Sequence, residues 1–375
     1  MSDDGSNSAK FTVSNGVRQG AVSSPIFFSL YINDLFKLLR GSRLGCRLFR
    51  IFLGCFGYAD DLFHLSASRS GLQAIVDICD KFAKERNLKF STSVDPIKSK
   101  TKCIVFSKKV RDRQNVAPVL LNGDPLPWVE EVKHLGNVLE SDSSMARDIT
   151  IKRAKFIGKL NSLSQEFHYV SPQVFMKILN IYAVSFHGSG LWDTFSPNCE
   201  RLYKAWNVAV RLAWNVPRTT HRYLIEGISG CLHPKVMLAS RQVKFREQLV
   251  SSCKMGVLAS LTSNDQRCVL GKNIAKLSRE CTSNMEDLTL SIVKSRLKYY
   301  EVPEEEGWRL GPILAIMDEN LEIHALHMKR VPKFLLTCAP HRLLVREQFW
   351  VPSFSLPYTP YITYSSCTIL YSLCT

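Results

Sequence analysis

The 375-residue sequence lacks an uninterrupted apolar run long enough to cross a bilayer. Its most apolar window, residues 44–65, is broken by Arg47, Arg50, Asp60 and Asp61. The first ten residues are polar and contain no targeting signal. We therefore expect an intracellular protein with no membrane contact, and the sequence leaves nucleus and cytoplasm open.

Paired cysteines are also lacking. The chain has 12 cysteines, but no two of them show C-x-x-C spacing. Cys338 and His341 have no second pair to complete a zinc site, and Cys231 and His233 lie too close together. The cysteine pattern therefore indicates free thiols in a reducing compartment.

Acidic residues are scarce relative to basic ones. The chain has 33 Asp and Glu against 49 Lys and Arg, which gives a formal net charge of +16. Such an excess favours a polyanionic partner, most plausibly nucleic acid. An anionic membrane surface is the weaker interpretation, and a generic basic protein is an equal alternative on charge alone.

The most informative stretch is residues 56–61, Phe-Gly-Tyr-Ala-Asp-Asp, which lies between apolar runs at 48–56 and 62–65. Adjacent carboxylates repel each other and are costly to bury unpaired. We therefore interpret Asp60 and Asp61 as a cation-binding pair at the tip of a hairpin. The alternative for the dipeptide alone is an ordinary turn.

A second unusual block covers residues 15–25, Asn-Gly-Val-Arg-Gln-Gly-Ala-Val-Ser-Ser-Pro. Asn15-Gly16 predicts a turn, and Ser24-Pro25 predicts the start of a helix. Apolar residues then recur at helical spacing until Gly41. The order is a loop followed by a helix that leads towards the hairpin.

Together the two blocks resemble the reverse transcriptases of non-LTR (LINE-type) retrotransposons, in which G-V-R-Q-G-x-x-x-S-P, an apolar helix and a Y-A-D-D hairpin follow one another. The resemblance covers residues 11–255 and continues weakly to about 320. It implies an RNA-directed DNA polymerase that uses two Mg²⁺ (or Mn²⁺) ions, an RNA template, a DNA primer and dNTPs. One departure is Ser23, where relatives usually have Leu.

The resemblance also implies roles for individual residues. Lys100 would protonate the leaving pyrophosphate, with Lys98 and Lys102 competing for that assignment. The implied site residues are Asp60, Asp61 and Lys100 (catalytic, the two aspartates also metal ligands), Arg18, Gln19, Gly20 and Tyr58 (nucleotide and template binding), and His134, Leu135 and Gly136 (primer grip).

The alternation of strand and helix patterns predicts an α+β protein: a partial right-hand palm, with an antiparallel sheet plus helices, then an all-helical thumb and C-terminal region. The predicted domains are 1–140 (partial palm), 141–255 (thumb-like), 256–320 (weakly defined helical region) and 321–375 (poorly ordered tail). Basic residues on the first thumb helix would suit a duplex backbone: Arg147, Lys152, Arg153, Lys155 and Lys159.

A third catalytic aspartate, which the family carries on a strand well upstream of the first block, has no good counterpart here. Asp3 and Asp4 lie in a polar start, close to the block. We therefore expect the isolated chain to be inactive as a polymerase, and its palm sheet to expose an apolar edge that invites self-association. The alternative is a non-catalytic RNA- or DNA-binding remnant of a retroelement.

Overall fold

The computed structural model describes residues 22–48, 51–93, 95, 97–220, 222, 225, 228–251, 268–282, 287–297, 364–365 and 367–372. The chain forms two compact units: Met1–Ser144 with Ser353–Thr375, and Met145–Pro352. Helices and small sheets are both present, which confirms the α+β class. In the described part of the chain, no helix has the length and apolar character needed to span a membrane.

Unit 1 contains two long helices, α1 (Ser24–Gly41) and α2 (Arg69–Glu85), and a short one, α3 (Val110–Arg113). Helix α2 begins after Ser68, whose hydroxyl accepts a hydrogen bond from the backbone N–H of Gly71, as expected for an N-cap. The strands are β1 (Arg47–Leu48), β2 (Ile51–Phe52), β3 (Cys55–Tyr58), β4 (Asp61–Ser66), β5 (Lys89–Phe90), β6 (Lys102–Phe106), β7 (Leu120–Leu121), β8 (Asp124–Pro125), β9 (Glu131–His134), β10 (Asn137–Glu140), β11 (Tyr364–Ser365) and β12 (Cys367–Ser372).

The main sheet of unit 1 has the strand order β3-β4-β12-β6. Strands β3 and β4 are antiparallel, whereas β12 is parallel to both of its neighbours. The sequence pattern predicted a poorly ordered tail over 321–375, but here the tail contributes the strands β11 and β12. The rest of that range lies outside the described residues.

Strand β12 also changes the prediction of an exposed sheet edge. The position between β4 and β6 is filled, and the outer side of β6 is bonded to the segment 127–129 through the backbone of Cys103. In the described part of the chain, β3 is the terminal strand on the opposite side of this sheet.

Two apolar clusters cover the two faces of the sheet. On one face, α1 and α2 pack their buried residues, among them Leu35 and Ile75, against Leu62 and Cys103. On the other face, Ile104 and Val132 are buried together with several half-buried side chains from β4, β6 and β10, namely Phe63, Leu65, Phe106 and Leu139. The sheet is thus apolar on both sides, and each side has its own cover.

Unit 2 is helical in its described part. Its helices are α4 (Ala146–Glu166), α5 (Pro172–Ala183), a 3₁₀ turn (Ser189–Leu191), α6 (Pro197–Ala213), α7 (Pro234–Ser251), α8 (Val269–Cys281) and α9 (Leu290–Arg296). Ser171 and Ser196 cap α5 and α6, and a proline follows each serine, which is the start signal that the sequence carries. The core contains Trp192, Trp206 and Tyr203, all buried.

A buried histidine of the main sheet in unit 1 contacts a cysteine thiol on helix α2. His64, on β4, is completely buried, and its Nε2 lies 3.5 Å from Sγ of Cys79 on α2. Burial lowers the pKa of His64 to about 4, and the nearby backbone of Gly54 opposes this shift. Burial also raises the pKa of the Cys79 thiol. His64 is therefore neutral in the folded protein at neutral pH.

This burial predicts acid sensitivity of unit 1. An unfolded histidine titrates near pH 6.5, so the stability that His64 contributes is complete above that pH and declines as the pH falls towards 4. The loss by pH 4 should be about 3 kcal/mol. Hydrogen exchange of β4 and α2 amides between pH 7 and pH 4, corrected for intrinsic rates, measures it. The variant H64L should show a flatter pH dependence, and identical profiles for both proteins would contradict the prediction.

Candidate active site

The two adjacent aspartates lie where a hairpin turns. Tyr58 ends β3 and pairs with Asp61 at the start of β4, so Ala59 and Asp60 form the turn. Ala59 has φ 52°, in the left-handed region that non-glycine residues rarely occupy. Asp60 is exposed and Asp61 is half-buried. Because Asp60 belongs to the turn, the pair escapes the strict alternation of strand side chains that would send neighbours to opposite faces.

Strand β4 sorts its side chains between the two faces. Leu62, His64 and Ser66 are buried, and they alternate with the half-buried Asp61 and Phe63. The face that carries Asp61 is the one covered by the β9–β10 hairpin, since Phe63 packs there. A carboxylate at the tip thus continues an aromatic and apolar face.

The structure places His134 on that same face. The rings of Phe63 and His134 have centroids 5.0 Å apart with an interplanar angle of 36°. Burial lowers the pKa of His134, and the negative charge of Asp61 opposes this shift. Asp61 and His134, which the resemblance assigns to catalysis and to the primer grip, are therefore neighbours. The sequence analysis missed Phe63, although the alternation along β4 places it on the Asp61 face.

The turn between β9 and β10 consists of Leu135 and Gly136, with His134 paired to Asn137. Both turn residues have positive φ, 45° and 80°. Two-residue turns of this kind favour Asn-Gly, so leucine at the first position is a strained choice. Leu135 is 41% exposed at the tip.

Lys100 lies near the same end of the sheet as the tip of the β3–β4 hairpin. Strands β4 and β6 both run parallel to β12, so the N-terminal ends of these strands lie at the same end of the sheet. Thr368 of β12 is in register with Phe63 and with Lys102. Two interstrand spacings, about 10 Å, separate β4 from β6. Lys100, exposed and just before β6, is therefore on the side from which Asp61 starts its strand.

The two competing lysines have different surroundings. Lys98 forms an exposed ion pair with Asp95, with Nζ and Oδ2 4.0 Å apart. Lys102 is half-buried within β6 itself. Of the three, Lys98 is paired with Asp95 and Lys102 lies within the strand, whereas Lys100 is exposed two residues before β6.

The other predicted residues divide into two groups. Tyr58 is 66% exposed beside the turn. Arg18, Gln19 and Gly20 lie outside the described residues.

The aspartate pair fits a hard cation by its chemistry. Mg²⁺ takes oxygen ligands and is commonly held by one or two carboxylates together with phosphate oxygens and water. Over the described ranges, no group of three or more His, Cys, Asp and Glu side chains could hold a metal ion. Two carboxylates supply only part of the coordination shell of such an ion, so phosphate oxygens and water would have to supply the rest.

The predicted basic face of α4 is only partly available. Lys152 Nζ donates a hydrogen bond to Asp148 Oδ2 at 2.8 Å and to the carbonyl of His187, and Lys159 Nζ donates to the carbonyl of Tyr182. These two lysines already donate hydrogen bonds within the unit, and their assignment to a duplex backbone stays a prediction. Lys155 is exposed.

Known proteins resemble parts of this chain. Residues 2–139 match the family described as reverse transcriptase (RNA-dependent DNA polymerase). A 77-residue stretch is 34% identical to the retrovirus-related Pol polyprotein from the type-2 retrotransposable element R2DM of Drosophila melanogaster. That stretch is 20% of this chain and spans 7% of the relative's length.

Proposed function

We propose that this chain, whose residues 2–139 are a reverse transcriptase segment of the non-LTR retrotransposon type, performs nucleotidyl transfer in its complete enzyme with Asp60 and Asp61 as metal ligands. The observation that carries the proposal is the adjacent carboxylate pair at an accessible hairpin tip, on a strand anchored between two apolar clusters. On this proposal, the chain is part of an RNA-directed DNA polymerase.

The chemistry assigns each side chain a limited task. Two bound Mg²⁺ (or Mn²⁺) ions would activate the primer 3′-hydroxyl and stabilise the leaving pyrophosphate. Asp60 and Asp61 would bind these ions through their carboxylate oxygens. Lys100, near the same end of the sheet as the two aspartates, would deliver a proton to the leaving group.

Template and primer would be held by the surrounding residues. The exposed ring of Tyr58 offers a stacking surface for a base at the primer end. The tip His134-Leu135-Gly136 would contact the primer strand, and Arg18, Gln19 and Gly20 would contact the nucleotide and template. The formal net charge of +16 favours binding of RNA and DNA.

The domain assignment is part of this proposal. Residues 1–140 would be the partial palm, 141–255 the thumb, 256–320 a helical extension and 321–375 a tail. The change from strands to helices after Ser144 supports a palm followed by a thumb. Self-association would use β3, the terminal strand of the main sheet in the described part of the chain.

Binding of Mn²⁺, a paramagnetic substitute for Mg²⁺, tests the metal site. The double variant D60A/D61A should lose at least tenfold in Mn²⁺ affinity, because both carboxylate ligands are removed. Water-proton relaxation with the full chain measures it. The control is D124A, which removes an exposed aspartate from another hairpin of unit 1 and should leave affinity within twofold. Equal affinity in all three proteins would refute the site.

The second candidate is a non-catalytic protein that binds RNA or DNA, which the net charge favours. Because the isolated chain is expected to be inactive in primer extension, Mn²⁺-dependent binding of a dNTP separates the two. Binding that requires Mn²⁺ and that D60A/D61A abolishes supports the polymerase. No Mn²⁺-dependent dNTP binding, together with nucleic-acid affinity that is unaffected by D60A/D61A and falls steeply with salt, supports the binding protein.

A further inference from the structure

One ring contact links the two hairpins that form the candidate site. His134 ends β9, and its ring packs at 5.0 Å from that of Phe63 on β4. Phe56 on β3 also contacts Phe63, with ring centroids 6.0 Å apart and an interplanar angle of 66°. The imidazole is thus held by aromatic packing that begins in the Asp60–Asp61 hairpin itself.

Asp61 lies two residues before Phe63 and therefore on the same face of β4. Its negative charge acts on His134, as expected for neighbouring groups. The imidazole is half-buried and packs directly on Phe63, the next residue after Asp61 on this face of β4.

The backbone keeps His134 in place. It is the last residue of β9, paired with Asn137 across a turn of two residues with positive φ. Val132, two residues earlier, is buried in the apolar cluster on this face of the sheet. The apolar cluster therefore anchors the base of the β9–β10 hairpin, which limits movement of its tip away from Asp61.

We propose that His134 is a positioning residue for Asp61: its ring, packed on Phe63, forms a wall that limits the rotamers open to the Asp61 carboxylate, which would hold a metal ion. The inference rests on the proposed role of Asp61 as a metal ligand. Asp60 lies in the exposed turn, so the wall acts on one member of the pair.

A double-mutant cycle on Mn²⁺ affinity of the full chain tests the proposal. H134A should weaken Mn²⁺ binding about tenfold, as is typical when a residue that orients a ligand is lost. H134F preserves the packing on Phe63 and should remain within about threefold of the wild type. In a D61A background, H134A should have no further effect, because the carboxylate that it positions is absent.

The outcomes separate the two levels of the argument. If D61A alone leaves Mn²⁺ affinity unchanged, the proposed function fails and the positioning role fails with it. If D61A weakens binding but H134A does not, only the positioning role is overturned. An equal loss on H134A with and without Asp61 also overturns it, since that pattern indicates general damage to the hairpin. Unchanged hydrogen exchange of β4 in H134A verifies that the sheet is intact.

Discussion

Replacing Asp148 with alanine is expected to lower the free energy of unfolding of the helical unit by about 3–5 kcal/mol. The Asp148 side chain is 1% exposed, and its Oδ2 accepts hydrogen bonds from Lys152 Nζ and Trp192 Nε1, each at 2.8 Å. Without the carboxylate, the largely buried Lys152 loses its counter-charge and the indole N–H loses an acceptor. Urea unfolding followed by tryptophan fluorescence measures the loss.

The effect of Asp148 extends to the segment that Trp192 anchors. The backbone carbonyl of Trp192 accepts hydrogen bonds from Gln242 on α7 and Asn273 on α8, both buried, while its indole N–H binds Asp148 on α4, so Trp192 is held from three helices. D148N keeps an acceptor for the indole but removes the charge, and we expect an intermediate loss. The control E166A removes an exposed carboxylate from α4 and should change stability by less than about 0.5 kcal/mol. A loss below 1 kcal/mol for D148A would show that the buried pair is dispensable.

The second large effect is expected at the inserted strand. Ile369 is in the middle of β12, in register with His64 on one side and with Cys103 on the other. Proline lacks the N–H that a central strand donates and is tolerated essentially at sheet edges. I369P should therefore destabilise the sheet by about 3 kcal/mol or more and separate β4 from β6.

Hydrogen exchange by mass spectrometry shows this directly, because amides of β4 and β6 should exchange faster in I369P. The matched control I369V keeps both ladders and should resemble the wild type. The open slot between β4 and β6 should also promote self-association, which size-exclusion chromatography detects. Unchanged exchange in β4 and β6 would mean that β12 contributes nothing to the sheet.

Local sequence signals accounted for much of the fold. Ser24-Pro25 predicted the start of α1, which begins at Ser24, and serine followed by proline also starts α5 and α6, because a side-chain cap and a fixed φ act within one turn of the chain. The apolar runs around Asp60 and Asp61 predicted the hairpin, and the structure places the pair at its tip. The run at 48–56 was less well described, since β2 and β3 divide it into two strands.

Contacts between distant residues could not be predicted in the same way. The i,i+4 spacing of Asp148 and Lys152 permits an ion pair on α4, but it gave no sign that the pair would be buried against Trp192, because charge spacing on a helix does not say which face is buried. The charge-free segment near residue 367 gave no sign of a partner strand, because pairing of β12 depends on the gap between β4 and β6.

The sequence by itself determined the adjacent carboxylates, the turn that carries them and the helix starts, because these depend on neighbours along the chain. Tertiary structure alone decided that His134 borders Asp61, that Lys100 lies near the same end of the sheet as Asp61 and that β12 occupies the centre of the sheet. Those relations follow from strand register and from the packing of two sheet faces, and neither is encoded in any short stretch of residues.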